Sequence, residues 1–188
     1  MIVLHFNIRL RGIDPPIWRT IQVPAAYTFW NLHVAIQDVM GWKDYHLHEF
    51  FLGGPASRDE IRIGIPDEEG FREDTLPGWE ELLAPYLIDQ TYRTFRYVYD
   101  LGDDWVHDVK VHGVYRIPEE TEGLRCLGGG RACPPEDCGG IPGYEEIVSG
   151  VHEFQEAYAG FDPEAFDCEA VVFTDPIERW YMAFGENE

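Results

Sequence analysis

The chain has 188 residues, enough for one domain or one domain with a substantial extension, and its 45% hydrophobic content supports a packed core without disulfide staples. Its formal net charge is −21, unevenly placed: residues 1 to 64 balance six basic against six acidic side chains, while residues 65 to 188 set eight against twenty-nine. With Lys43 and Lys110 as the only lysines, such a surface repels nucleic acid and anionic membrane and suits metal cations or basic partners, or serves solubility alone.

The first element alternates, with Leu4, Phe6, Ile8 and Leu10 on one side and His5, Asn7, Arg9 and Arg11 on the other, the period of a strand with one buried face. Gly12 to Pro16 is turn chemistry, and Ile17 to Val23 is predicted as the second strand of a hairpin. Its pattern is interrupted by Arg19, which shares parity with Ile21 and Val23. Thr28 is a helix N-cap candidate; Phe29, Leu32, Ile36, Val39 and Met40 recur at helical spacing, and Gly41 can close the helix in a left-handed conformation. Tyr45 to Leu52 reads as extended, and Ile61, Ile63 and Ile65 suggest a further strand ended by Pro66.

Residues 67 to 78 read as an acidic loop, and Trp79 to Leu87 as a short helix interrupted by Pro85. Thr94 to Tyr99 and Trp105 to Tyr115 alternate on either side of Asp100 to Asp104, which predicts a β-hairpin. Residues 118 to 143 hold eleven Gly and Pro in twenty-six positions, a density that predicts no regular element and a loop held by something other than a core. Tyr144 to Gly160 is predicted helical with a break at Gly150. Asp162-Pro163 and Asp175-Pro176 each offer an Asp N-cap followed by Pro, and Ile177, Trp180, Tyr181 and Phe184 line one face of the last helix.

The chemistry-bearing residues fall in three groups. Cys126, Cys133 and Cys138 lie within the Gly/Pro-rich loop, where thiolates can wrap a tetrahedral zinc, with His107, His112 or Cys168 as a fourth ligand. Their spacings of six and four intervening residues are not paired C-x2-C knuckles, and small buried thiols that pack as weak hydrophobes are the alternative. Asp100, Asp103, Asp104, Trp105 and His107 crowd the hairpin. Carboxylates there can bind a cation or orient a histidine, but Asp at a turn also bonds its own backbone. His107 is expected on the apolar face with Trp105, Val109 and Val111, the setting of a hydrogen-bonded core histidine. His46 and His48, two apart, would share a strand face and form a metal-ligand fragment. A cleft drawing on His46, His48, Asp103, Asp104, Trp105 and His107 would suit a cation or a basic ligand group.

The segments YVYDLGDDWVHDV (Tyr97 to Val109) and RACPPEDCGGIPGY (Arg131 to Tyr144) resemble the Ri-plasmid ORF-three-like family, whose members carry a Y-x-Y-D-[FL]-G-D-x-W-x-H hairpin followed by a C-P-P-E-D-C-G-G-x-x-G-Y loop. IWRTIQVPAAYTFWNLHVAIQDVMGW (Ile17 to Trp42), HLHEF (His46 to Phe50) and FDPEAFD (Phe161 to Asp167) extend the match over most of the chain. The resemblance implies a passenger protein of mobile elements; some members carry the name resolvase. The serine recombinase chemistry behind that name finds no counterpart here, since Ser57 and Ser149 are the only serines, neither lies in a recognisable nucleophile setting, and no basic DNA-binding helix pair can be placed.

The element order strand, strand, helix, strand, strand looks like a ubiquitin-like β-grasp roll. The expectation is one α+β domain over residues 1–188: a β-grasp-like part at 1–66, then an acidic hairpin, a Cys/Gly/Pro-rich loop and C-terminal helices at 67–188. The expected role is a non-enzymatic binding or adaptor module. It would be cytoplasmic and would meet a protein partner, not nucleic acid or membrane, through the aromatic-acidic surface of residues 97 to 144. A metal-dependent hydrolase with ligands from His46, His48, Asp103, Asp104 and His107 is the alternative; zinc is the cofactor candidate, on Cys126, Cys133 and Cys138.

Overall fold

The alternating apolar residues of β1 (Ile2–Leu10) place Leu4, Phe6, Ile8 and Leu10 in the core while Arg9 faces solvent. In this computed structural model, which describes residues 1–54, 60–66, 74–89 and 91–185, β1 pairs antiparallel with β2 (Trp18–Pro24) on one side. On the other it pairs with β7 (Trp105–Arg116), with a register shift between His5 and Phe6. The remaining strands are β3 (His48–Leu52), β4 (Ile61–Gly64), β5 (Thr75–Pro77), β6 (Thr94–Tyr99) and β8 (Arg125–Gly130). They complete an eight-stranded sheet of order β5-β4-β3-β6-β7-β1-β2-β8, antiparallel except for the β4–β5 pair.

The chain is thus α+β, with four α-helices among the described residues: α1 (Phe29–Met40), α2 (Ala84–Leu87), α3 (Gly140–Ser149) and α4 (Pro176–Phe184). No described helix is long and apolar enough to cross a membrane. A β-grasp roll built from residues 1–66 alone is not what the strands form. Both strands of the β6–β7 hairpin stand between β1 and β3, so the early and late parts of the chain interleave in one sheet.

α1 forms where the 3.6-residue period predicts it. The Thr28 side chain accepts from the Asn31 backbone N–H, the Asn31 side chain returns a bond to the Thr28 N–H, and Gly41 closes the helix at φ 90°. Its apolar side buries Phe29, Leu32, Ile36 and Val39 with the rings of Phe50, Phe95 and Tyr97 in the core. Phe29 meets Phe50 at 5.2 Å and Phe50 meets Tyr97 at 4.8 Å. Burying such a ring contributes about 1.5–3 kcal/mol, so this cluster anchors helix to sheet.

Several expectations are revised. Arg19 breaks the apolar pattern of β2 yet is 1% exposed; its guanidinium donates to the carbonyls of Val39, Trp18, Gly130 and Arg131 and lies 3.7 Å from the Phe166 ring centroid. A buried cation with four acceptors is satisfied where an unpaired one would not be. The Gly-rich run that predicted no regular element contains β8, an edge strand on β2. An ideal Cβ at Gly129 would meet Phe166 at 2.3 Å and one at Gly130 the Trp18 indole nitrogen at 2.8 Å, so the missing side chains make room for neighbouring rings. Pro85 sits in the first turn of α2, where its missing N–H costs nothing, and so starts that helix instead of interrupting it. α3 begins four residues before Tyr144 and ends at Gly150. Asp162-Pro163 opens only a turn, whereas Asp175 caps α4 through the Ile177 N–H as expected. Of the loop expected over 67–78, residues 67–73 lie outside the described residues, and Thr75–Pro77 form β5.

Candidate functional site

Past Gly41 the chain runs through Trp42 to Leu47 without regular structure before entering β3, and this short segment organises the site. The Trp42 indole is buried on Tyr99 at 4.9 Å and donates through Nε1 to the Pro134 carbonyl at 2.9 Å. The Lys43 N–H donates to Glu136 Oε1 at 2.6 Å, and Tyr99 Oη donates to the same carboxylate at 3.1 and 3.2 Å. Tyr45 N–H donates to Tyr99 Oη, and Asp100 N–H to the Leu47 carbonyl. Burial and the Glu136 carboxylate both push the Tyr99 phenol upward, so it stays a donor at neutral pH.

These bonds bring together the HLHEF segment, the DLGDDW turn and the CPPEDC loop. At their junction His46 Nε2 lies 2.9 Å from Asp137 Oδ1 and 3.6 Å from Asp100 Oδ2, and the three ligand atoms fall within 4.8 Å of one another. The set is open to solvent on one side, with side-chain exposures of 29% for His46, 11% for Asp100 and 68% for Asp137. Asp100 Oδ1 is occupied by the backbone N–H groups of Gly102 and Asp103, which leaves Oδ2 to face His46. Asp100 and Asp137 hold positive φ angles of 53° and 54°, conformations an aspartate tolerates at a cost.

A second donor set lies inside. His33, Asp44 and His48 place ligand atoms within 4.8 Å of one another, and the His33 and His48 rings stack at 3.4 Å. Four hydrogen bonds close a ring here. Asp44 N–H donates to Gln37 Oε1 at 3.1 Å, and Gln37 Nε2 donates to Tyr97 Oη at 3.0 Å. Tyr97 Oη then bonds His33 Nδ1 at 2.8 Å, and His33 Nε2 bonds Asp44 Oδ1 at 2.8 Å. Because Gln37 is oriented by the Asp44 N–H, its amide must donate to Tyr97. The phenol proton can then be directed at His33 Nδ1, an arrangement that leaves the Nε2 N–H to point toward Asp44. Asp44 Oδ2 is buried and has no hydrogen-bond partner among the described residues. A cleft of about 420 Å³ opens onto Asp44, lined also by Trp42, Lys43, Tyr45, Arg179 and Met182.

The two histidines of HLHEF therefore part company. His48 enters β3 and is buried, while His46 precedes the strand and faces the outer carboxylates, so they do not share a strand face. His48 and His107 each pack on Tyr97, at 6.2 and 5.3 Å, but His107 belongs to neither donor set. It is fully buried against Trp42 and Tyr97, and burial pushes its pKa down to about 4. Trp105 is buried in the core, Asp103 caps the Gly139 N–H through Oδ2 at 3.2 Å, and Asp104 takes φ 57° at the hairpin turn.

Neither donor set contains a cysteine. Cys126 lies on β8 beside Cys168, while Cys133 and Cys138 are buried in the loop. Burial pushes the Cys138 thiol up to about 12 and Cys133 higher still, which keeps both protonated at neutral pH. Sequence reasoning missed His33, Asp44 and Asp137. His33 sits at the helix position three after the buried Trp30, where a polar residue among apolar neighbours is the available signal; Asp137 had none beyond its place in the loop motif.

The family model described as plasmid pRiA4b ORF-3-like protein matches residues 2–170. The chain belongs to that family. It is 33% identical over 145 residues to the uncharacterized protein y4hQ of Sinorhizobium fredii (strain NBRC 101917 / NGR234), a match covering 77% of this chain and 71% of that protein. It is also similar to the crystal structure of MM3350 from Methanosarcina mazei Go1, a protein of unknown function. There the TM-score is 0.80 at 38% identity, over 92% of this chain and 98% of that one. The three segments that meet at His46, Asp100 and Asp137 are those that carry the family resemblance, and all lie within the matched residues.

Proposed function

We propose that this protein is a cytoplasmic binding module of plasmid-borne elements. Its docking surface for a protein partner would be the junction of the three motifs, organised by a divalent cation on His46, Asp100 and Asp137. The observation that carries this reading is the convergence of one imidazole and two carboxylates, from three separated segments, at a solvent-open point. A mixed nitrogen and oxygen donor set suits zinc or manganese, and a cation there would relieve the repulsion between Asp100 and Asp137. The acidic surround would raise the local concentration of cations and of basic partner surfaces. The structural alternative is that His46 only ties the loop to the hairpin.

Elemental analysis and calorimetric titration with Zn²⁺ and Mn²⁺ decide between them. One equivalent bound by the wild type, weakened at least about tenfold in His46→Ala and Asp137→Asn, is the expected result. No uptake by the wild type, or uptake as tight in His46→Ala and Asp137→Asn as in the wild type, contradicts the proposal. A metal-dependent hydrolase is the second reading, favoured by the same observation, since three protein ligands leave coordination positions open. Metal-dependent cleavage of a simple ester or phosphodiester, lost in Asp100→Asn, would select it.

A further inference from the structure

At the other end of α1, a cleft of about 300 Å³ is lined by Thr28, Trp30, Asn31, Trp79, Ile177, Trp180 and Tyr181, with Pro176. Trp180 stands edge-on to two indoles at once, 5.3 Å from Trp30 at 84° and 5.0 Å from Trp79 at 70°. Trp30 is fixed by its Nε1 bond to the Pro176 carbonyl at 3.0 Å, so this wall is held by the backbone of α4. Trp79, Ile177 and Tyr181 remain exposed at 37%, 67% and 69%. A group of aromatic rings on a free surface is costly to leave in water unless something covers it.

The charge around the cleft says what would cover it. Glu80 follows Trp79 and Glu178 follows Ile177, both exposed, while the exposed Asp175 accepts the Ile177 N–H through Oδ1 as the cap of α4. The basic residue on this helix, Arg179, is committed to Asp38 Oδ1 at 2.6 Å and lines the neighbouring cleft. Indole faces carry negative potential at their centres, and the carboxylates next in sequence to the lining residues add to it. The lining therefore favours a cation with a flat or alkylated body over an anion or a neutral apolar group.

We propose that the cleft between Trp79, Trp180 and Tyr181 receives an arginine or lysine side chain of a basic protein segment. The site is separate from the His46 donor set and requires no metal. It supplies the two elements of a small recognition hot spot, an aromatic slot and flanking acidic residues.

The test uses the full chain and a minimal probe, Nα-acetyl-arginine methylamide, with the citrulline analogue as an uncharged isostere. The six tryptophans provide six indole N–H resonances in a nitrogen-correlated NMR spectrum. The proposal predicts saturable shifts of the Trp79 and Trp180 signals with the arginine probe and about three- to tenfold weaker binding of citrulline. In Trp79→Ala/Tyr181→Ala, whose side chains are partly exposed, the Trp180 shift should vanish while the remaining spectrum stays dispersed. Equal response to citrulline would show a merely apolar slot and overturn the proposal. So would shifts that survive the double substitution, or the absence of any indole shift. Glu178→Gln provides an independent variant: it should weaken the arginine probe and leave citrulline unchanged.

Discussion

The centre of the sheet and the loop from Arg131 to Gly139 lie in one protein but are held in different proportions by apolar packing and by polar contacts. In the centre, Phe6, Ile8, Tyr97, Val109 and their neighbours are buried together, and any one contact is backed by many others. The loop sends Cys133 and Cys138 into that core, but its remaining length is held by individual polar contacts to other segments. Arg19 binds the Gly130 and Arg131 carbonyls, Trp42 the Pro134 carbonyl, Tyr99 and the Lys43 N–H the Glu136 carboxylate, and His46 Asp137. The position of the candidate site is therefore encoded largely outside the loop that carries one of its three residues.

The largest effect should follow from Arg19, which serves both regions. Arg19→Met leaves the carbonyls of Val39, Gly130 and Arg131 without their donor and should cost about 3–5 kcal/mol in denaturant unfolding. A loss under about 1 kcal/mol would mean that the loop is not anchored this way.

His107 sharpens the other side of the comparison, as an ionisable group enclosed in the apolar region. Its folded pKa is depressed to about 4 from an ordinary 6.5, so below pH 6.5 the unfolded chain takes up a proton that the folded chain refuses. The contribution is fully present above pH 6.5 and is lost as pH falls toward 4, by about 3 kcal/mol in all. His107→Gln should remove that part of the pH dependence, read as a difference between the two unfolding curves from pH 7.5 to 4. Parallel curves would contradict the assignment.

Within α3, against the loop, Gly143→Ala should cost about 2–3 kcal/mol, because an ideal Cβ there would lie 1.7 Å from the Cys138 carbonyl oxygen and force the Cys138–Gly139 turn away. Stability and metal affinity should fall together. The smallest change is Trp42→Phe, which keeps a ring against Tyr99 but removes the Nε1 bond to Pro134 and part of the indole's packing on Trp105 and His107. A loss of about 1–2 kcal/mol is expected, with unfolding cooperativity unchanged.

The same division explains what could be read from the sequence. α1 with both caps, the alternating strands β1 and β7 and the start of α4 at Asp175-Pro176 follow from local periodicity and cap chemistry, which the final packing respects. The sheet order does not, because nothing local says that the β6–β7 hairpin enters between β1 and β3. Strand β8 was illegible for a related reason: its glycines are chosen by Trp18 and Phe166, distant in sequence. At the candidate site, His46 stood out as a residue type, whereas Asp100 read as a turn aspartate bonding its own backbone and Asp137 arrives from the loop only through the Trp42 and Glu136 bonds. Arg19 looked like a break in a pattern and is the anchor of the loop. A polar residue in an apolar register reports a tertiary contact that local rules cannot name.

The central claim is that the three motif segments meet to hold a divalent cation. Zinc-edge X-ray absorption and anomalous diffraction on zinc-loaded protein test it most directly. The account predicts one zinc per chain, with His46 nitrogen and Asp100 and Asp137 oxygens at about 2.0–2.2 Å and the signal lost in His46→Ala. Zinc bound instead by cysteine sulfur at about 2.3 Å, or no ordered zinc at the junction, would contradict it.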